Sequence, residues 1–126
     1  MTLHHIELWV KDFDRSRASL GWMFERLGYV LKDSWRNGAS WQGEGYYLVL
    51  ESGPDVRGAH ERRDAGLNHL AFSVASEREI DAITVESKDH GWQVMFADLH
   101  PHAGGPDHYG AYLENPEGFE VEIVVG

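Results

Sequence analysis

The sequence predicts an α+β fold built from two copies of one βαβββ module. Three observations predict it. The strand-like segment Leu3-His4-His5-Ile6-Glu7-Leu8-Trp9-Val10 returns as Leu67-Asn68-His69-Leu70-Ala71-Phe72-Ser73-Val74, at a constant offset of 64 residues. Each copy is followed by a stretch with helical spacing of apolar residues, closed by Gly28 in the first half and Gly91 in the second. Three short β-like runs then follow each helix. A repeat of this length, present twice, is a duplicated supersecondary unit and not a solenoid.

In the first segment Ile6, Leu8 and Val10 alternate with His5, Glu7 and Trp9, the period of a half-buried strand. Asp12 or Asp14 caps the helix that follows, with Leu20, Met23, Phe24 and Leu27 at helical spacing. Strands are expected near Tyr29–Lys32, Ala39–Gln42 and Tyr46–Glu51, turned by Asn37-Gly38 and Gly43-Glu44-Gly45. The second helix takes Ser76 as its cap and Glu79 as capping-box partner, with Ile80, Ile83 and Thr84 on one face. The closing strands are expected at Gln93–Ala97, His108–Leu113 and Phe119–Val125. The expected division is a first module over about 1–53, a Gly/Pro-rich charged linker over about 54–65, and a second module over about 66–126.

A chain of 126 residues can bury a core without staples. Acids outnumber bases 21 to 11, a formal charge of −10, so neither nucleic acid nor an anionic membrane surface is an expected partner. The absence of cysteine excludes disulfides, thiolate metal sites and thiol catalysis. No apolar run reaches the ~20 residues of a membrane span, and the N-terminal residues carry no secretory pattern, so the expected compartment is the cytoplasm.

The repeat turns scattered residues into a candidate site. His5 and His69 occupy equivalent strand positions, and the last strand of each half ends near a carboxylate, Glu51 and Glu122. Pseudo-two-fold packing of the halves would bring the four together as ligands of a divalent metal. Glu51 borders Ser52-Gly53-Pro54 and is equally placed to end a strand in solvent. Counting from the preceding glycine also separates the pair: Gly118 leads to Glu122 in four steps, whereas Gly45 leads to Val49. Parity adds Glu7 to the His5 face and Glu120 to the Glu122 face, with no Lys or Arg on those strand faces. Unpaired carboxylates on one concave surface call for a cation or for protonation.

These residues, together with the closing Asn115-Pro116-Glu117-Gly118-Phe119-Glu120-Val121-Glu122-Ile123, resemble the glyoxalase/bleomycin-resistance/dioxygenase superfamily, the vicinal oxygen chelate proteins. The resemblance covers essentially the whole chain. It implies strands curled into a half-barrel around a metal, with helices outside. It implies His5, His69 and Glu122 as ligands of one divalent ion (zinc, nickel, manganese or iron), and Glu51 as the fourth. It also implies pairing of modules within or across chains, and a homodimer is expected. Glyoxalase I enzymes commonly carry an Arg four residues after the first ligand; here that place is Trp9, beside the acidic Glu7, which disfavours an anionic tripeptide thiol.

The loop His100-Pro101-His102-Ala103-Gly104-Gly105-Pro106-Asp107-His108-Tyr109 reads as a mobile connection or as a lid over the substrate. A separate metal cluster of His100, His102 and His108 is a weaker alternative, with no complete ligand motif behind it. By family parity His108, Gly110 and Tyr112 face the cavity. Tyr112 would then hydrogen-bond a ligand oxygen and His108 would move a proton. The candidate catalytic residues are Glu122, Glu51, His108 and Tyr112; Trp9, Glu7, Tyr112 and His108 are the candidate substrate contacts. The expected activity is a metal-dependent lyase or isomerase of glyoxalase type acting on a small oxygenated metabolite. The alternatives are an Fe(II) extradiol-type dioxygenase and a metal-free protein that sequesters a ligand, as bleomycin-resistance proteins do.

Overall fold

A computed structural model describes all residues from Met1 to Gly126. The chain divides into two compact units, Met1–His60 and Glu61–Gly126, and each carries one four-stranded mixed sheet with helix against one face. In the first unit the elements are β1 (His5–Trp9), α1 (Phe13–Ser16), a π-helical turn (Arg17–Gly21), α2 (Trp22–Arg26), β2 (Val30–Trp35), β3 (Gly38–Gln42) and β4 (Tyr47–Glu51), with sheet order β1-β4-β3-β2. In the second they are β5 (His69–Val74), α3 (Glu77–Ser87), a 3₁₀ turn (Lys88–His90), β6 (Gln93–Val94), β7 (Gly110–Glu114) and β8 (Glu120–Val125), in the matching order β5-β8-β7-β6. The duplicated βαβββ architecture is therefore present element for element.

Each sheet buries one face and leaves the other for function. In the first unit Leu8, Val10, Trp41, Leu48 and Leu50 pack with Leu20, Met23 and Phe24 of the helix. Phe24 meets the Trp41 ring edge-on at 5.5 Å. A Cβ on Gly21 would come within 3.0 Å of Trp41, so the glycine in the π-helical turn is what lets that indole lie flush beneath the helix. Asp12, not Asp14, is the cap, accepting from the Arg15 N–H at 3.1 Å. In the second unit Phe72, Leu113, Val121 and Ile123 lie in the core with Ile80, Ile83 and Trp92. Ser76 caps α3 through the Glu79 N–H at 3.2 Å, and Gly91 ends the helical run in the left-handed region (φ 88°).

Three expectations change. The strand expected near Tyr29–Lys32 runs over Val30–Trp35, because Asp33, Ser34 and Trp35 go on pairing with Ser40, Ala39 and Gly38 of β3. The strand expected over Gln93–Ala97 is only Gln93–Val94, because the chain turns at Phe96, whose φ is +53° and whose carbonyl accepts the N–H groups of Leu99 and His100. The strand expected from His108 begins at Gly110, because the His108 N–H is still bonded into the preceding loop at the Gly105 carbonyl. The closing sequence motif works as a turn: Asn115 Oδ1 accepts from the N–H of Glu117 and of Phe119, at 3.1 and 2.8 Å, and Gly118 takes φ 85°. That turn sets the β7–β8 register and so decides which β8 residues share the face of His69.

Candidate functional site

Parity separates the two faces of each sheet, and the chemistry lies on the face away from the helices. In the second unit β5 and β8 run parallel with His69 opposite Glu120 and Ala71 opposite Glu122, and Tyr112 of β7 lies opposite Glu122. Glu122 is the hub. Its Oε2 meets His108 Nε2 at 2.9 Å and its Oε1 lies 3.3 Å from His69 Nε2. The Tyr112 hydroxyl donates to it as well. Desolvation first, and then the Glu122 carboxylate, raise the Tyr112 phenol above its ordinary value. The hydroxyl is therefore a proton donor across the whole neutral range. His108 reaches Glu122 because its ring is threaded between glycines. A Cβ on Gly104 would press on the imidazole and approach the Tyr112 hydroxyl to 3.0 Å, and one on Gly110 would lie 2.9 Å from His108 Nε2.

Neighbouring residues tune this cluster. His69 Nδ1 lies 2.7 Å from Asn68 Oδ1, which accepts its N–H and fixes the ring with Nε2 toward Glu122. Glu120, whose side chain is 7% exposed, is held by Arg62 at 3.2 Å, and Arg62 also stands 3.7 Å from Glu114. The strand faces themselves carry no Lys or Arg, as their sequences show, but the expectation that their carboxylates stand unpaired is corrected: Arg62 arrives from the segment between the repeats. Phe96 packs edge-on against Tyr112 at 5.6 Å and is about half exposed. Arg62, Asn68 and Phe96 were not singled out from sequence. All three lie outside the strands, where no periodicity marks direction.

In the first unit His5, Glu7 and Trp9 share the open face of β1, opposite Tyr47, Val49 and Glu51 of β4. His5 stacks on Tyr47 (centroids 4.8 Å apart, planes 8° apart), and its Nδ1 is 2.9 Å from His4 Nδ1. The register shows which residues are equivalent in the duplication. Glu122 faces the residue two after His69; the residue two after His5 faces Val49, and Glu51 lies one step further, opposite Trp9. Glu51 is not simply ended in solvent. Its Oε1 accepts from the Trp35 indole at 3.2 Å, and its Oε2 is buried with no hydrogen-bond partner. The Trp9 indole in turn donates to Glu7 at 2.7 Å. A cavity of about 300 Å³ opens on this face, lined by His5, Glu7, Ser40, Tyr47 and Val49 together with Lys32, Asp33 and Trp35 of β2.

The pattern of duplicated sheets and face-sharing His and Glu residues agrees with the comparison to known families. The family model described as the glyoxalase/bleomycin resistance protein/dioxygenase superfamily matches residues 4–112. The chain belongs to that superfamily. Protein YqjT of Bacillus subtilis (strain 168) is 39% identical over 124 residues, covering 97% of each chain. A crystallised glyoxalase candidate from Bacillus halodurans is 38% identical and superposes with a TM-score of 0.92, over 99% of this chain and 96% of the other. A glyoxalase/bleomycin resistance protein from Albidiferax ferrireducens T118, 18% identical with a TM-score of 0.76 over 98% of each chain, shares the fold.

Members of this superfamily invite a test for a metal site. No three His, Asp or Glu side chains stand already gathered in a metal-holding group, and His100, His102 and His108 form none. The donor chemistry nevertheless fits a divalent ion. With its Nδ1–H directed at Asn68, His69 turns Nε2 toward a carboxylate oxygen 3.3 Å away, an imidazole nitrogen and a carboxylate facing one point as a divalent ion requires of its ligands. The orphaned Glu51 Oε2 lacks a donor in the same way.

Proposed function

We propose that this superfamily member is a metal-dependent lyase or isomerase of the glyoxalase type, acting on a small oxygenated metabolite. The observation that carries the reading is Glu122, a part-buried carboxylate on which His69, His108 and Tyr112 converge. His69 and Glu122 are the proposed ligands of a divalent ion, and His5 and Glu51 are the further ligands proposed from the duplication. When bound, such an ion supplies Lewis-acid polarisation of substrate oxygens. The chain's own groups then do the rest. His108 Nε2, fixed between Gly104 and Gly110, holds its proton against Glu122, hands it to a substrate oxygen and takes it back as the product forms. Tyr112, kept protonated by burial and by the adjacent carboxylate, donates its O–H to a substrate oxygen. Glu7 and Trp9 hold the substrate side of the first sheet and select against anionic thiols.

Metal content and thermal stability test this directly. The parent, purified without chelator, is expected to hold close to one equivalent of metal and to melt higher on its addition. His5→Ala, His69→Ala and Glu122→Gln are expected to lose the metal, and Glu51→Gln to bind it more weakly. A parent that binds none of Zn²⁺, Ni²⁺, Mn²⁺ or Fe²⁺ refutes the reading. The second reading, a metal-free protein that sequesters a ligand, is favoured by one observation: Arg62 and the two imidazoles already give Glu120 and Glu122 internal partners. Oxygen uptake by an iron-loaded sample would identify the dioxygenase alternative instead.

A further inference from the structure

The cavity on the open face of the first sheet is shaped by a break in β2. Leu31 pairs with Trp41 and Asp33 with Ser40, so Lys32 is an extra residue bulged out of the ladder. Regular alternation would send Lys32 and Asp33 to opposite faces. The bulge instead aims both into the same cavity, a cation and an anion side by side, with Glu7 supplying a second carboxylate. Two aromatic walls complete it. Tyr47 is fixed by its stack on His5. Trp35 is fixed over Gly38, where a Cβ would come within 2.6 Å of the indole nitrogen, and its N–H is spent on Glu51. The walls are therefore rigid, while the charged groups ring them.

We propose that this cavity is a binding site for a small zwitterion of amino-acid type, with its carboxylate at Lys32, its ammonium at Glu7 and Asp33, and an apolar or aromatic side group between Trp35 and Tyr47. The charge pattern selects this class over its neighbours. An organic cation alone would leave Lys32 without a counter-charge, and an anion alone would leave the two carboxylates without one. A wholly apolar ligand would strip water from three charges without replacing it. A ligand carrying both charges satisfies every group, and the ammonium also meets the aromatic faces. A volume of about 300 Å³ suits a molecule of this size. The inference deepens the proposed function, resting on the open face of the first sheet as the substrate side, but it concerns binding alone and is read without metal and without turnover.

The test uses the full chain in excess chelator, titrated with L-phenylalanine, 3-phenylpropionate (no ammonium) and 2-phenylethylamine (no carboxylate). Indole N–H resonances report binding, and Trp35→Phe assigns the relevant signal. L-Phenylalanine is expected to shift the Trp35 signal and to bind about tenfold or more tightly than either half-molecule, the worth of one charge-assisted pair. Lys32→Gln is expected to abolish the preference over 2-phenylethylamine, and Asp33→Asn to reduce the preference over 3-phenylpropionate, which Glu7 still supports. Equal binding of all three, tightest binding of the amine, or no shift of the Trp35 signal at millimolar ligand would each overturn the proposal. If phenylalanine binds and no metal does, the metal-dependent reading falls and this proposal stands. If metal binds and phenylalanine does not, this proposal falls and the metal-dependent reading stands.

Discussion

Replacing Gly104 by Ala tests whether His108 is held on Glu122 by the loop above it. The added methyl would press on the His108 ring, approaching its Cγ to 3.0 Å, and come as near to the Tyr112 hydroxyl. The imidazole is the movable partner, part-exposed at the end of a two-torsion side chain, so it gives way. Its hydrogen bond to Glu122 at 2.9 Å is then broken. A hydrogen bond to a charged group contributes about 1.5–3 kcal/mol. For 126 residues an unfolding entropy of about 2.1 cal/mol/K per residue makes each kcal/mol worth about 4 °C, so Gly104→Ala should lower Tm by about 6–12 °C. Gly105 is the internal control. It has open space around a Cβ but a φ of +129°, so Gly105→Ala costs stability through backbone strain and leaves the His108 imidazole resonance in place. The decisive comparison is a double-mutant cycle. With His108→Ala as background the ring is gone, and Gly104→Ala should cost less than about 1 kcal/mol. If Gly104→Ala destabilises the His108→Ala protein as much as the parent, the loop does not act through His108, and the proposed coupling is refuted.

Arg62→Met should destabilise the chain by about 2 kcal/mol in denaturant unfolding, because it strands the buried Glu120 carboxylate, and adding Glu120→Gln should restore most of the loss. Tyr109 donates to Asp81 at 2.6 Å, and that hydrogen bond, with desolvation and the Asp81 and Glu77 charges, pushes its phenol up to about 12. Ultraviolet titration should find one tyrosine ionising there, returning toward 10 in Asp81→Asn; the stabilisation from this bond is complete below pH 10 and lost as the pH rises through 12. A homodimer is expected from the small cores of two short units and from the exposed indoles of Trp9 and Trp35, 50% and 42% accessible. A single species of monomer mass in sedimentation at micromolar concentration would count against it.

The periodic features of this protein were legible in its amino-acid order alone. The alternation around His5 and His69, the Asp12 and Ser76 caps and the terminating Gly28 and Gly91 are local signals, since a strand's parity and a helix's ends depend on residues a few positions apart. They were enough for the βαβββ order, the duplication, and the common parity of Glu120 and Glu122; the resemblance to the superfamily added His69 and Tyr112 to that face, and the strand pairing puts them there. The glycine count that set Glu51 apart from Glu122 also agrees with the register, in which Val49 takes the equivalent place. What fills the space between elements was settled by long-range packing. Arg62 comes from an aperiodic segment, and nothing local tells that its guanidinium reaches Glu120, 58 residues away. The bulge that turns Lys32 and Asp33 to one side depends on the partner strand, because an extra residue is extra only relative to what it pairs with. Phe96 turns where alternation suggested a strand, because hydrogen bonds from Leu99 and His100 outweigh a weak local preference.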